Sequence, residues 1–211
     1  MRIKKYPHSA IAIEEGGTKI IVDPGIWSPG VENETGVSAI FITHEHPDHY
    51  DPIRILTLLA ANPEIQIVSN ENVVEQLNHK GIPATAVKEG GRGSFGSISY
   101  SVHGKDHARI DADLPVVPNR GFLFNDRLYH PGDALHNPGM PIEILALPIM
   151  APWARISDML DYIRELKPRK LFPIHDALLT ELGPYEAHTK RVVESIQSMY
   201  IHIKPGEEED F

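Results

Sequence analysis

Apolar and polar positions at the start of the chain alternate at the period of two that turns one face of an extended chain towards a core. The opening MRIKKYPHSAIAIEEGG alternates in this way. Runs over Ala10 to Glu14, Lys19 to Val22 and Ser38 to Thr43 predict strands, with turn residues Gly16, Gly17, Pro24 and Gly25 between them. The period then changes. Asp51 and Pro52 form a cap and first-turn pair, so Ile53 to Ala61 predicts a helix. A strand over Ile65 to Val68, a helix over Asn72 to His79 and a strand over Ala84 to Lys88 follow.

The second half repeats the order. Ser97 to His103 alternates strictly, Gly121 to Asn125 and Arg127 to His130 flank a hairpin turn at Asn125-Asp126, and Ile142 to Pro148 reads as a buried strand. Ile156, Met159, Leu160 and Ile163 mark a helical stripe. Lys170 to Pro173 predicts another strand, and Glu186 to Tyr200 a closing amphipathic helix. Two β-then-α halves predict an α/β fold in which two sheets pack face to face with helices outside.

Composition narrows the function more than the fold. A chain of 211 residues with 41% apolar and 23% charged residues suits one domain spanning residues 1–211. Of the net charge of −9, Glu207, Glu208, Glu209 and Asp210 supply four units from a C-terminal run expected to be simply solvated. A body this acidic lacks the cation surplus that neutralises phosphate backbones, so no nucleic-acid partner is expected. No segment approaches the roughly 18 apolar residues of a membrane span, and the N-terminus lacks an apolar leader core, so no membrane partner and a cytoplasmic location are expected. The expected partner is a small-molecule substrate, with assembly into a homo-oligomer left open. The absence of cysteine removes disulfides, thiolate nucleophiles and sulfur-ligated metals. Any metal must sit on His, Asp or Glu.

The stretch Phe41 to Pro52, FITHEHPDHYDP, gathers such residues between a predicted strand and a predicted helix. His44 and His46, two apart on an extended segment, point the same way, as two ligands of one ion must. Asp48 and His49 follow at a turn whose change of direction can aim a second pair at a neighbouring ion, so one loop could serve two metals. Gly91-Arg92-Gly93-Ser94-Phe95-Gly96 fits a dinucleotide fingerprint only on paper, because an alternating strand follows it rather than a helix. It is expected to be a glycine-rich β-turn.

His44-Glu45-His46-Pro47-Asp48-His49 resembles the signature of the metallo-β-lactamase superfamily, whose αββα sandwich matches the two-half organisation. Three further motifs carry the resemblance: Asp23 in Val22-Asp23-Pro24-Gly25, Asp133 in His130-Pro131-Gly132-Asp133, and His175 in Pro173-Ile174-His175-Asp176. Glyoxalase II-like and true β-lactamase members usually carry the third histidine in a Gly-His-Ser/Thr context. This chain offers His103 and His107 in His-Gly-Lys-Asp-His-Ala instead. The nearer similarity is to the small branch that includes ascorbate phosphate lactonase and bacterial metal-dependent hydrolases.

The resemblance implies a hydrolase with two divalent ions, His44, His46 and His107 on the first, Asp48, His49 and His175 on the second, and Asp133 bridging. It implies Asp48 as the catalytic carboxylate that orients a metal-bridging hydroxide and receives its proton. Asp23, His130 and Asp176 are implied as supports that fix imidazole tautomers, and Trp153 as a substrate contact. Zinc is the expected metal, with manganese or iron as alternatives because a carboxylate is present. An ester or lactone is the first substrate expectation and a small phosphodiester the second. Iron-dependent oxidoreductase chemistry, which the same fold hosts, is the rival from another class, and a decayed, non-catalytic metal module ranks last.

Overall fold

The computed structural model describes residues 1–211. In chain order the strands are β1 Arg2–Lys5, β2 Ile11–Glu15, β3 Thr18–Val22, β4 Val37–Ile42, β5 Gln66–Ser69, β6 Thr85–Ala86, β7 Arg92–Phe95, β8 Ile98–His103, β9 Gly121–Phe124, β10 Leu128–His130, β11 Ile144–Pro148, β12 Lys170–Ile174, β13 Met199–Tyr200 and β14 Glu208–Asp210. The helices are α1 Pro52–Ala61, α2 Glu71–His79, α3 Ile156–Leu166 and α4 Gly183–Ser195. One sheet has the order β14-β1-β2-β3-β4-β5-β6 and the other β13-β12-β11-β10-β9-β8-β7. In each, an antiparallel meander meets a parallel set, at β3 in the first sheet and at β10 in the second.

Three apolar clusters make four layers of this. Between the sheets lie Ile13, Ile20, Val22 and Phe41 from one and Val102, Phe122, Phe124 and Phe172 from the other. Phe41 stands edge-on to Phe122 and Phe124, each ring 5.0 Å away. Outside the first sheet, Ile40 and Ile42 pack against Ile55 and Leu58 of α1 and Val73 and Leu77 of α2. Outside the second, Leu145 and Leu171 meet Ile163 of α3 and Val192 of α4. The αββα sandwich expected from the repeated halves is the observed architecture.

Several local expectations are corrected. The acidic C-terminal run is not merely solvated: β14 adds to the edge of β1, pairing Arg2 with Asp210 and Lys4 with Glu208. Its side chains stay exposed while its backbone satisfies the open edge of β1. Residues 92–95 form an edge strand of the β7–β8 hairpin rather than a turn. The last helix starts at Gly183 and stops at Ser195. Gln197 takes a left-handed conformation (φ 59°), which turns the chain into β13. The Asp51 cap behaves as its sequence suggests, its carboxylate accepting from the Ile53 N–H at 2.9 Å.

Glu34 ties the first sheet together at its outer face. It accepts from Lys4 Nζ at 2.8 Å, Lys19 Nζ at 2.7 Å and the Tyr6 hydroxyl. Burial alone would raise its pKa, but these three donors outweigh it and hold the carboxyl at about 2. Because the folded value is depressed, this stabilisation is present above the unfolded pKa of about 4.5 and is lost as pH falls towards about 2. Between pH 6 and pH 3 the native protein should lose about 2 kcal/mol more stability than Glu34→Gln, read from urea midpoints. Identical pH dependence of the two proteins would show that Glu34 carries no such linkage.

Candidate metal centre

The cluster is assembled at strand ends. Asp23 follows β3, the stretch Thr43 to His49 follows β4, Asp133 lies three residues beyond β10, and His175 directly follows β12. His8 follows β1 and His107 follows β8. Because β1 runs parallel to β3, and β8 to β10, all of these residues leave the C-terminal ends of co-directional strands. Three of the turns hold non-glycine residues in the left-handed region: His8 (φ 65°), Asp23 (φ 49°) and His175 (φ 60°). Each such residue costs about 1–3 kcal/mol, offset here by fixed partners. The Thr43 N–H donates to Asp23 Oδ1 at 2.7 Å, the His175 N–H to the His8 carbonyl at 3.1 Å, and the His8 N–H to Asp176 Oδ1 at 3.2 Å. Gly25 is required where the Asp23 turn crosses the ligand loop, since a Cβ there would lie 1.9 Å from the Asp48 carbonyl oxygen.

Three overlapping groups result, each with its ligand atoms within 4.8 Å of one another: His44, His46 and His107; His8, Asp48, His49 and His175; and His44, His49 and Asp133. Asp133 lies between the first two. Its Oδ1 is 3.1 Å from His49 Nε2, and its Oδ2 is 3.0 Å from His175 Nε2 and 3.5 Å from His107 Nε2. The structure thus brings together all seven residues expected as ligands. His103 stays outside: its Nε2 is 2.9 Å from Ser101 Oγ and its ring stands edge-on to Tyr129.

The outward-facing ring nitrogens have identifiable partners. His49 Nδ1 donates to Asp23 Oδ2 at 2.7 Å. The Thr43 hydroxyl donates to the same carboxylate at 2.8 Å, leaving its oxygen to accept from His44 Nδ1 at 3.0 Å. The Nδ1 groups of His107 and His175 donate to the carbonyls of Ala108 and Met150. Each of these rings therefore turns Nε2 inwards.

This pattern revises the supports expected from sequence. Asp23 does hold the imidazole of His49, one of the candidate ligands. His130 does not; its Nε2 donates to the Ser9 carbonyl at 3.0 Å, behind Asp23. The Asp176 carboxylate makes no hydrogen bond to any of the seven, and instead accepts from Lys5 Nζ at 2.8 Å and from the His8 N–H. Trp153 gives its indole N–H to Asp133 Oδ2 at 2.8 Å, so that donor is engaged by a carboxylate of the cluster.

His8 is the residue that sequence reasoning missed, folded into an alternating strand pattern. It is fully buried, its Nε2 lies 2.9 Å from Asp48 Oδ2, and its Nδ1 accepts from the Ala177 N–H at 3.4 Å, which leaves the ring proton on Nε2 to point at Asp48. A histidine beside proline between two strand runs was the available signal. Thr43 was equally unmarked, lying one residue before the motif.

Burial opposes every charge in this cluster, yet the charges win at its centre. Burial would raise the Asp133 carboxyl, but His49 and His175 hold it well below the usual carboxylate range. Burial would lower His49, but Asp133 and Asp23 raise it well above the usual imidazole value, and His175 is raised to about 9, chiefly by Asp133. His44 is pushed well down by burial and by His49, and His46 down by burial and by His107. His49 Nε2, His107 Nε2, His175 Nε2 and Asp133 Oδ1 are buried with no well-directed hydrogen bond, their near neighbours being one another. Buried polar atoms are rarely left so, and four of them converging with inward-facing imidazoles fit a divalent cation.

The family model described as the Beta-lactamase superfamily domain matches residues 2–175. Protein Rv0786c of Mycobacterium tuberculosis is 40% identical over 184 residues, 85% of each chain. A Chelativorans sp. protein named UPF0173 metal-dependent hydrolase is 33% identical over 151 residues, 63% of each chain. Igni18 of Ignicoccus hospitalis, described as a novel metallo hydrolase, has a similar structure, with a TM-score of 0.74 at 20% identity over 100% of this chain and 98% of that one. That likeness speaks for the fold alone. With the match spanning most of its length, the chain belongs to the β-lactamase superfamily, and proteins named metal-dependent hydrolases are among its relatives.

Proposed function

We propose that this protein hydrolyses a small-molecule ester or lactone with two divalent cations, zinc in the first instance. His44, His46 and His107 would hold one ion, Asp48, His49 and His175 the other, and Asp133 both. The observation that carries this reading is the set of buried atoms with no well-directed hydrogen bond on His49, His107, His175 and Asp133, on both sides of one carboxylate. When bound, such ions polarise a carbonyl oxygen and bring the pKa of a water towards neutrality.

The protein's own groups prepare the rest. Asp23 and Thr43 fix the directions of His49 and His44, and Trp153 fixes one oxygen of Asp133. Asp48 is the carboxylate suited to receive a proton, because its side chain keeps 18% exposure while His8 pins its Oδ2 at 2.9 Å.

The test is metal analysis of protein purified without added metal, followed by ester, lactone and phosphodiester panels on metal-loaded and chelated protein. About two redox-inert ions per chain and chelator-sensitive ester or lactone cleavage are expected. Asp48→Asn should lower turnover by roughly 10²-fold or more with the fold intact. Iron with oxygen consumption would replace this reading by the oxidative one, and cleavage confined to phosphodiesters would move the substrate class.

A further inference from the structure

Beside the metal cluster the connection from β8 to β9 folds into a flap. Its base is pinned next to His107. The His107 N–H donates to the Val117 carbonyl at 2.9 Å, Asp106 bridges to Pro118, and the Asn119 N–H donates to the Lys105 carbonyl at 3.0 Å. Its tip closes on itself: Arg109 Nη2 donates to the Ala112 carbonyl at 2.8 Å, and the Asp113 N–H to Asp111 Oδ1 at 2.8 Å. A surface connection of this kind is usually polar. Here Ile110, Leu114 and Val116 stand 46%, 54% and 48% exposed.

These side chains are not scattered. With Val117 they line a hollow of about 210 Å³ into which His46 and His107 also face. Arg109 is the one Arg or Lys side chain on its wall, and its guanidinium is turned back onto carbonyls of the flap. No acidic residue lines it. An apolar cavity of about 150 Å³ takes up benzene, so this hollow accommodates a group of about six to eight carbon atoms.

We infer that the hollow under the flap is a subsite for an apolar substituent of the substrate, so that the preferred ester or lactone carries a compact hydrocarbon group next to its scissile carbonyl. This rests on the hydrolytic reading above and deepens it. It predicts that the substituent lodged in the hollow is uncharged, because the wall is apolar apart from the two imidazoles and Arg109, whose guanidinium is held by flap carbonyls. The occupant is a ligand of the neighbouring centre rather than a second protein because two of the candidate metal ligands face into the same hollow.

Two homologous series test it with metal-loaded protein: methyl alkanoates from acetate to octanoate, which lengthen the acyl side, and alkyl acetates from methyl to octyl, which lengthen the alcohol side. In at least one, kcat/KM should rise about fourfold per added methylene and level off once the hollow is filled. In Val116→Asp, and in Leu114→Asp as a second variant, the ratio of long-chain to short-chain kcat/KM should fall towards one. Both positions are half exposed, so folding is checked by thermal melting. Cleavage independent of chain length, or a chain-length slope that survives both substitutions, would overturn the subsite while leaving the hydrolytic reading in place.

If no ester or lactone is cleaved, the hydrolytic reading fails, and calorimetric titration with octanoate and acetate decides the subsite separately. Octanoate binding more tightly than acetate, with the difference lost in Val116→Asp, supports it; equal affinities reject it. A dimer in solution that Leu114→Asp or Val116→Asp dissociates would also reject it, by assigning the flap to a contact between copies of the chain.

Discussion

Replacing Asp133 with alanine should empty both cation positions at once, taking metal content from about two ions per chain to below one and turnover down by roughly 10³-fold. No other carboxylate reaches both sides of the cluster: its two oxygens lie 3.1 Å from His49 and 3.0 Å from His175, and the second is also 3.5 Å from His107. The effect should exceed that of any single histidine, because on the proposed two-ion reading one substitution removes a ligand from each ion, together with the charge beside His49 and His175. Asp133→Asn is the companion measurement. It keeps an oxygen for the Trp153 N–H and the volume of the side chain but removes the charge. If Asp133→Ala kept two ions by plasma emission and its full rate, Asp133 would not be the shared ligand.

The second large effect separates two histidines four positions apart. His107→Ala should remove one of two ions and abolish turnover, whereas His103→Ala should keep both ions and cost about 1 kcal/mol of stability through its bond to Ser101. The ground is positional. His107 Nε2 is buried with no well-directed hydrogen bond, in one group with His44 and His46, while His103 has its own partner inside the second sheet. Metal loss from His103→Ala and retention in His107→Ala would exchange the two assignments.

What could be read in advance follows the range of the interactions involved. His44, His46, Asp48 and His49 sit within six residues on a strand end and a turn, so local geometry dictates their convergence, and Asp51 and Pro52 announce the helix that ends the loop. Strand parity could not place His107. Pairing in β8 stops at His103, and Gly104 (φ 77°) breaks the alternation before residue 107. The contact of His8 with Asp48 spans forty positions and exists only once β1 and β4 lie in one sheet, so no window of sequence holds both partners. The strand at the C-terminus was hidden for a different reason. Its pairing is made by backbone groups, and acidic side chains that stay in water say nothing about them. Asp176 was misjudged in the same way. Its place in the motif suggested a histidine partner, but the fold brings it Lys5, a buried amine from the far end of the chain.

The pairing of β14 with β1 brings the two ends of the polypeptide into contact, the Met1 amino group donating to the Phe211 carbonyl at 3.2 Å and the Phe211 N–H to the Met1 carbonyl at 2.8 Å. Residues 1 and 211 lie close enough for a few glycines to join them. A new cut at the exposed turn Gly16-Gly17, between β2 and β3, would leave every ligand-bearing strand end whole. The route from this seam to the cluster is short, for β1 runs from Arg2 to Lys5 and the next turn carries His8. Joining residues 1 and 211 and opening the chain at Gly16-Gly17 would tether at both ends the strand that delivers His8 to Asp48.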